Sequence, residues 1–340
     1  MKKVNLTFII IILFINMINI KPKAIKVTEP IRAAVLLYKE DDYFISLLKN
    51  SLLELENQNK DVIKFIIYDG KDDEELQDKQ LDDAINSEVD IILLNIVNEK
   101  KSCKLFEKIK KSNIPVVFFN REPLNISSIK EYTNKAVYVG TTACDSGNMQ
   151  GDMIIKEWKN NSTLDKNADN AIQYILFQGD KDNLEAQHRS ECVIRSIENK
   201  GIKTIKIAEE FCNWDRECAK KTMEKLFEEH GNEIEVIISN NDQMAIGVIL
   251  ALQEIGYNLG DPEKYIPVVG IDGIDEAVKL IQNGFMTGTV IQDYEAMAKA
   301  LYRISVNLAE GKPALQNTEY KFDVTGIGIR IPYNGYIIRK

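Results

Sequence analysis

The chain has 340 residues, 44% hydrophobic and 28% charged, which permits large buried cores and suggests two domains. A formal net charge of -9 leaves no basic field for nucleic acid, whose binding depends on Lys and Arg releasing counterions. Only two histidines, His188 and His230, are present, so histidine-based catalytic triads and zinc centres are poor explanations of function.

At the amino terminus MKK precedes LTFIIIILFINMINI, residues 6–20, an apolar run of signal-peptide length and short for a transmembrane helix. Residues 1–30 are therefore expected to be a signal or membrane-anchor segment. The rest is expected to be extracytoplasmic, in the periplasm or on the outer face of the cytoplasmic membrane. Ala24 is the usable small residue for cleavage, and no cysteine follows the run to carry a lipid.

From residue 31 onward apolar runs alternate with amphipathic segments. Strands are predicted at 31–37, 62–68, 90–96, 115–119 and 136–139, with helices at 44–56, 73–86 and 101–111 between them. A second series of strands follows at 172–177, 202–207, 234–239, 265–271 and 287–291. Its clearest helix is 242–255, where Met244, Val248, Leu252 and Ile255 make one stripe and Gly256 the stop. Such runs suit parallel sheets covered on both faces. The fold class is α/β, with two doubly wound parallel-sheet lobes and a cleft between them.

In doubly wound folds ligands bind beyond the carboxyl ends of the strands. The first such end, LYKEDDYF, supplies Asp41, Asp42 and Phe44; PVVFFNREP supplies Asn120 and Arg121. In the second series, YILFQGDKDNLEAQHR presents Asp182, Asn183, Glu185 and Arg189, and EFCNWDREC presents Trp214. VIISNNDQMA adds Asn240, Asn241 and Asp242; VVGIDG adds Asp272; TVIQDYE adds Gln292 and Asp293. Planar polar groups with two aromatic rings suit a small neutral polyhydroxylated ligand. Each hydroxyl both donates and accepts, and the apolar ring faces of a pyranose pack on Phe or Trp. Taken singly, any of these polar residues reads more readily as a helix cap or turn residue, as Asn241 or Asp242 does before MAIGVIL, and Phe44 and Trp214 more readily as core. It is their coincidence at many strand ends that points to a ligand.

The segment DKNADNAIQ, residues 165–173, repeats oxygen-bearing side chains at Asp165, Asn167 and Asp169, as in the first half of an EF-hand calcium loop. Asn170 takes the sharp-turn position, Ala171 offers a carbonyl and Gln173 an amide oxygen. The twelfth position is Leu176, so the loop lacks its own bidentate glutamate. The five cysteines, Cys103, Cys144, Cys192, Cys212 and Cys218, form no recognisable framework; Cys212 and Cys218 could pair, but scattered free thiols are the expectation.

YKEDDYF, IPVVFFNREP, YVGTTACDSGNMQGD, EVIISNNDQMAIG, PVVGIDGIDEA, TGTVIQD and RIPYNGY together resemble the galactose/glucose-binding proteins of bacterial ABC importers, of the type I periplasmic binding fold, over about residues 31–336. The resemblance implies sugar hydrogen bonds from Asp42, Asn120, Arg189, Asn241 and Asp272, and ring stacking on Phe44 and Trp214. Asn183, Glu185 and Gln292 depart from the family's histidine, aspartate and asparagine, and admit a pentose in place of a hexose. The resemblance also implies structural calcium (Ca2+) held by Asp165, Asn167, Asp169, Ala171, Gln173 and Glu235. It places chain crossings near Gly140 and Thr141, Asp293 and Tyr294, and Gly326 and Ile327. The lobes are then 31–140 plus 294–326, and 141–293 plus 327–340.

The expected function is that of a monomeric extracytoplasmic receptor that closes on a monosaccharide and delivers it to a membrane ABC permease, without enzymatic activity. A membrane-tethered sugar-sensing subunit for a kinase or chemoreceptor is the alternative. A glycosidase using Asp42 and Asp272 is a weaker one, because the acids are interspersed with amides suited to binding.

Overall fold

The computed structural model describes residues 29–339 apart from 125 and 133. The apolar leader at 6–20 lies outside the described residues. Among the described residues no helix is long and apolar enough to cross a membrane.

The first sheet is built from β1 (Ile31–Leu37), β2 (Ile63–Asp69), β3 (Ile91–Leu94), β4 (Val116–Phe119) and β5 (Ala136–Gly140). The second contains β6 (Ala171–Gln178), β7 (Lys203–Phe211), β8 (Val236–Ser239), β9 (Val268–Asp272) and β10 (Gly288–Ile291). Two short late strands, β11 (Gly328–Arg330) and β12 (Tyr336–Ile338), complete them. Each sheet is six-stranded, in the orders β11-β5-β4-β3-β1-β2 and β12-β10-β9-β8-β6-β7. All pairings are parallel except that of β12 with β10.

The continuous apolar strands are explained by helices on both faces. Ala33, Val35 and Leu37 enter the core on one face of the first sheet, while Ala34 and Leu36 enter the other. In the second sheet Ile175 and Phe177 face one core and Tyr174 and Leu176 the opposite one. Such alternation is what the two-residue period of a strand requires when neither face meets water. In each sheet the order reverses beside the first strand, β1 or β6, and the crevice at that reversal is where doubly wound folds hold ligands.

The chain crosses between lobes after β5 and again before the helix Tyr294–Ala309, which packs into the first lobe's core through Met297, Leu301 and Ile304. The third crossing differs from the expectation. β11 pairs with β5, so residues 328–330 belong to the first lobe and the crossing lies at 331–335 rather than beside Gly326 and Ile327. Three residues of pairing are too short to stand out as an apolar period.

The expectation of scattered thiols is also corrected. Cys144 pairs with Cys192 and Cys212 with Cys218, at Cα separations of 5.2 and 5.4 Å, leaving Cys103 free and exposed. Cys144 and Cys192 are 48 residues apart and meet only because their helices, Ala143–Asn160 and Leu184–Glu198, pack together. Disulfides accord with an oxidising compartment.

Candidate functional site

The carboxyl ends of the two sheets enclose a cleft of about 400 Å³, lined by Asp42, Phe44, Asn120, Asn183, Glu185, Arg189, Trp214, Asn241, Asp272 and Gln292. Tyr38, Ile45 and Arg121 line it as well. Every residue that the resemblance assigned to the sugar, together with Asn183, Glu185 and Gln292, therefore reaches one cavity, and both lobes contribute.

The N-cap and ligand readings turn out to be compatible. Asp42 caps the helix Tyr43–Gln58 by accepting from the Ile45 N–H at 2.9 Å, and its other oxygen accepts from the Tyr38 hydroxyl at 2.6 Å. Asn183 and Asn241 cap their helices by accepting from Ala186 and Met244 at 2.8 and 3.0 Å. A helix that starts at a sheet's carboxyl edge points its N-terminus into the cleft, so its cap is also a cleft residue. Burial raises the Asp42 carboxyl above the ordinary carboxylate range, with Tyr38 and the Ile45 N–H pulling it back.

At the hinge end Arg189 is the organising cation. It donates to the Asn240 carbonyl at 2.8 Å, and to Glu185 and Gln292, each at 2.7 Å. Tyr333 ties this group to the hinge, donating to Thr141 at 3.1 Å and to Glu185 at 3.3 Å. The longer side chains at Glu185 and Gln292 thus reach Arg189, and Arg189 Nε is buried without a partner among the described residues. A buried unpaired donor in a cleft wall is a ready contact for a ligand oxygen.

Asp272 is buried, has a φ of 130°, and makes no side-chain hydrogen bond to the described residues. Burial, then the neighbouring charge of Asp242, pushes its carboxyl well above the ordinary range. Asn120 and Trp214 also sit in the left-handed region, at φ 59° and 64°. Asn tolerates that conformation, whereas for Trp it is a held position. The Asn241 amide donates to the Trp214 carbonyl at 3.3 Å and helps hold it. The indole lies over Gly179, where an added Cβ would stand 2.1 Å from Trp214 Cε2.

Sequence reading named Arg121 without its partners, and missed Tyr38, Asn95 and Asp180. Tyr38 and Arg121 stack, with the guanidinium 3.5 Å from the ring centroid. Arg121 pairs with Asp180 of the other lobe at 2.5 Å. Asn95, buried just after β3, accepts from the Tyr38 N–H and donates to Asn120. Each follows a strand, which was the available signal. Asp182 and Asp293 leave the cleft: Asp182 pairs with Lys100 and Asp293 caps a helix. Asp242 is consumed structurally, accepting from the Gly273 and Ile274 N–H groups and the Thr289 hydroxyl.

The 165–173 loop closes on its own N–H groups rather than presenting an open carboxylate cage. Asp165 accepts from the Asp169 and Asn170 N–H groups, and Asp169 from Ala171 N–H and the Gln173 amide. Glu235 does reach the loop, accepting from Lys166 N–H at 2.7 Å and Gln173 N–H at 3.0 Å. Among the described residues no three His, Cys, Asp or Glu side chains are gathered to hold a metal. The donor set here is mixed, and Gln173 Oε1 is buried with no partner among the described residues.

Residues 33–313 match the family described as periplasmic binding protein domain. The chain is 37% identical over 307 residues to the D-galactose/methyl-galactoside binding periplasmic protein of Haemophilus influenzae, covering 89% of this chain and 88% of that one. It is 24% identical over 270 residues to the ribose import binding protein of Bacillus subtilis, covering 79% and 78%. The fold is also that of an ABC transporter solute binding protein from Bacillus halodurans solved with bound myo-inositol, at a TM-score of 0.75 and 22% identity over 91% of this chain and 95% of that one. Two parallel-sheet lobes with facing carboxyl edges, matched along most of their length, make this chain a member of the periplasmic binding protein domain family.

Proposed function

We propose that the protein is an extracytoplasmic receptor for a galactose- or glucose-like monosaccharide, which it encloses between its lobes and delivers to a membrane ABC permease. The observation that carries the reading is the convergence of acid, amide and guanidinium tips with Phe44 and Trp214, from both lobes, in one cleft. The kinship with a galactose-binding protein supports the ligand class, and the relatives are named as binding proteins rather than enzymes. A ligand that bonds to both lobes has higher affinity for the closed state and therefore drives closure; no bond need be broken.

Asp272 and Asp42 suit sugar hydroxyl groups as hydrogen-bonding partners, and Arg189 Nε suits a sugar oxygen as donor. A thermal-shift screen against D-galactose, D-glucose, L-arabinose and D-xylose tests the reading. One or more should raise the melting temperature, and a flat response to all of them overturns it.

We also propose that the 165–173 loop takes a structural calcium ion. Asp165, Asn167, Asp169, the Ala171 carbonyl, Gln173 and Glu235 would supply the oxygens, and the ion would cross-link the start of β6 to the residue preceding β8. The orphaned Gln173 Oε1 supports this assignment.

A further inference from the structure

The groups lining the cleft do not explain how its rims meet. On one rim Arg121 donates to Asp180 at 2.5 Å and the Asn183 amide donates to Glu99 at 2.7 Å, each bond running from one lobe to the other. Both are shielded: Glu99 is 4% and Asn183 2% exposed, and the Arg121 and Asp180 side chains 5% and 21%. The guanidinium is held in place beforehand, stacked on Tyr38 and bonded to the Val97 carbonyl at 2.8 Å. Leu47 of the first lobe also packs against the second lobe's apolar core. Neither Glu99 nor Asp180 lines the sugar cleft.

We propose that Glu99 and Asp180 are positioning residues that latch the two lobes through Asn183 and Arg121, and so set how much of the receptor is closed before ligand arrives. The inference rests on the receptor reading above. The Arg121–Asp180 ion pair and the Asn183–Glu99 hydrogen bond need the two rims together and are exchanged for bonds to water on opening, so they weight the equilibrium towards closure. Apparent affinity scales with the fraction that is binding-competent, so a latch that touches no sugar changes every affinity by one factor. A side chain that contacts sugar changes them unequally. Asn183 acts on the latch side of that distinction: its oxygen caps a helix and its nitrogen bonds Glu99.

The test uses the full chain with Asp180→Ala and, separately, Glu99→Ala. Small-angle scattering without sugar should show a larger radius of gyration for both variants. Titration calorimetry with D-galactose, D-glucose, L-arabinose and D-xylose should show dissociation constants raised by about tenfold, by the same factor for each sugar that binds. An unchanged radius, or a factor that differs between sugars, overturns the latch. If one variant does not fold, the other decides. Should the wild-type chain bind none of these sugars, the receptor reading fails while the scattering still tests the latch.

Discussion

Asp242 and Asp272 stand at the carboxyl ends of the neighbouring strands β8 and β9, and only Asp242 is saturated with protein donors. Asp272 faces the cleft without a partner among the described residues. Two similar side chains side by side are thus divided between architecture and recognition.

Substitution should separate the two roles. Asp272→Ala should raise the dissociation constant for the cognate sugar by about a hundredfold or more and leave the ligand-free melting temperature nearly unchanged. Asp242→Ala should instead cost about 3 kcal/mol of stability, because three donors lose their acceptor. Calorimetric titration and chemical denaturation of both variants check this; the opposite pattern would reverse the assignments.

Gly179 is small because Trp214 occupies the space its Cβ would take. Gly179→Ala should displace the indole and weaken sugar binding by about tenfold, with little change in far-ultraviolet circular dichroism. The tryptophan emission should shift at the same time, since only two tryptophans are present. Wild-type affinity in this variant would show that the ring is not a sugar platform.

Glu99 gives stability a pH dependence. Burial raises its carboxyl to about 7, against the attraction of Arg121 and reinforced by Asp180 and Glu185; Lys100 and Asp182 lie on the same rim. A carboxyl raised on folding binds more protons in the folded state. Its contribution is therefore complete below about pH 4.5 and is lost as pH rises through about 7. The difference corresponds to about 3 kcal/mol. Denaturation between pH 5 and pH 8 should show this fall in wild type and a flatter profile in Glu99→Gln. Identical profiles would contradict the assignment.

Much of the fold was legible because strands such as DIILLNI and PVVFF are buried on both faces and appear as unbroken apolar runs. Most of the cleft was legible too, because the turn after each strand can reach only the carboxyl edge. What escaped depends on contacts between distant segments. β11 and β12 have three residues each and are defined by their partners. Arg121 with Asp180 and Glu99 with Asn183 become visible only when two lobes meet. Asn183, read as a sugar ligand from its position, does line the cleft, and its nitrogen bonds Glu99 across the rim, a contact its position after a strand could not announce.

For the calcium ion proposed at the 165–173 loop, chelation is the direct probe. Adding EDTA should lower the melting temperature of the wild-type chain by several degrees and calcium should restore it. Glu235→Gln should reduce that sensitivity. A chain whose melting is indifferent to both additions has no ion in this loop.

The central claim is that one monosaccharide is held between the lobes by groups from both. Titration calorimetry of D-galactose and D-glucose, extended to the pentoses, tests it most directly, with wild-type chain beside Asp42→Ala from the first lobe and Asp272→Ala from the second. The expected result is binding of one sugar per chain, lost on either substitution. Absence of binding with every monosaccharide, or undiminished binding in both variants, would contradict it.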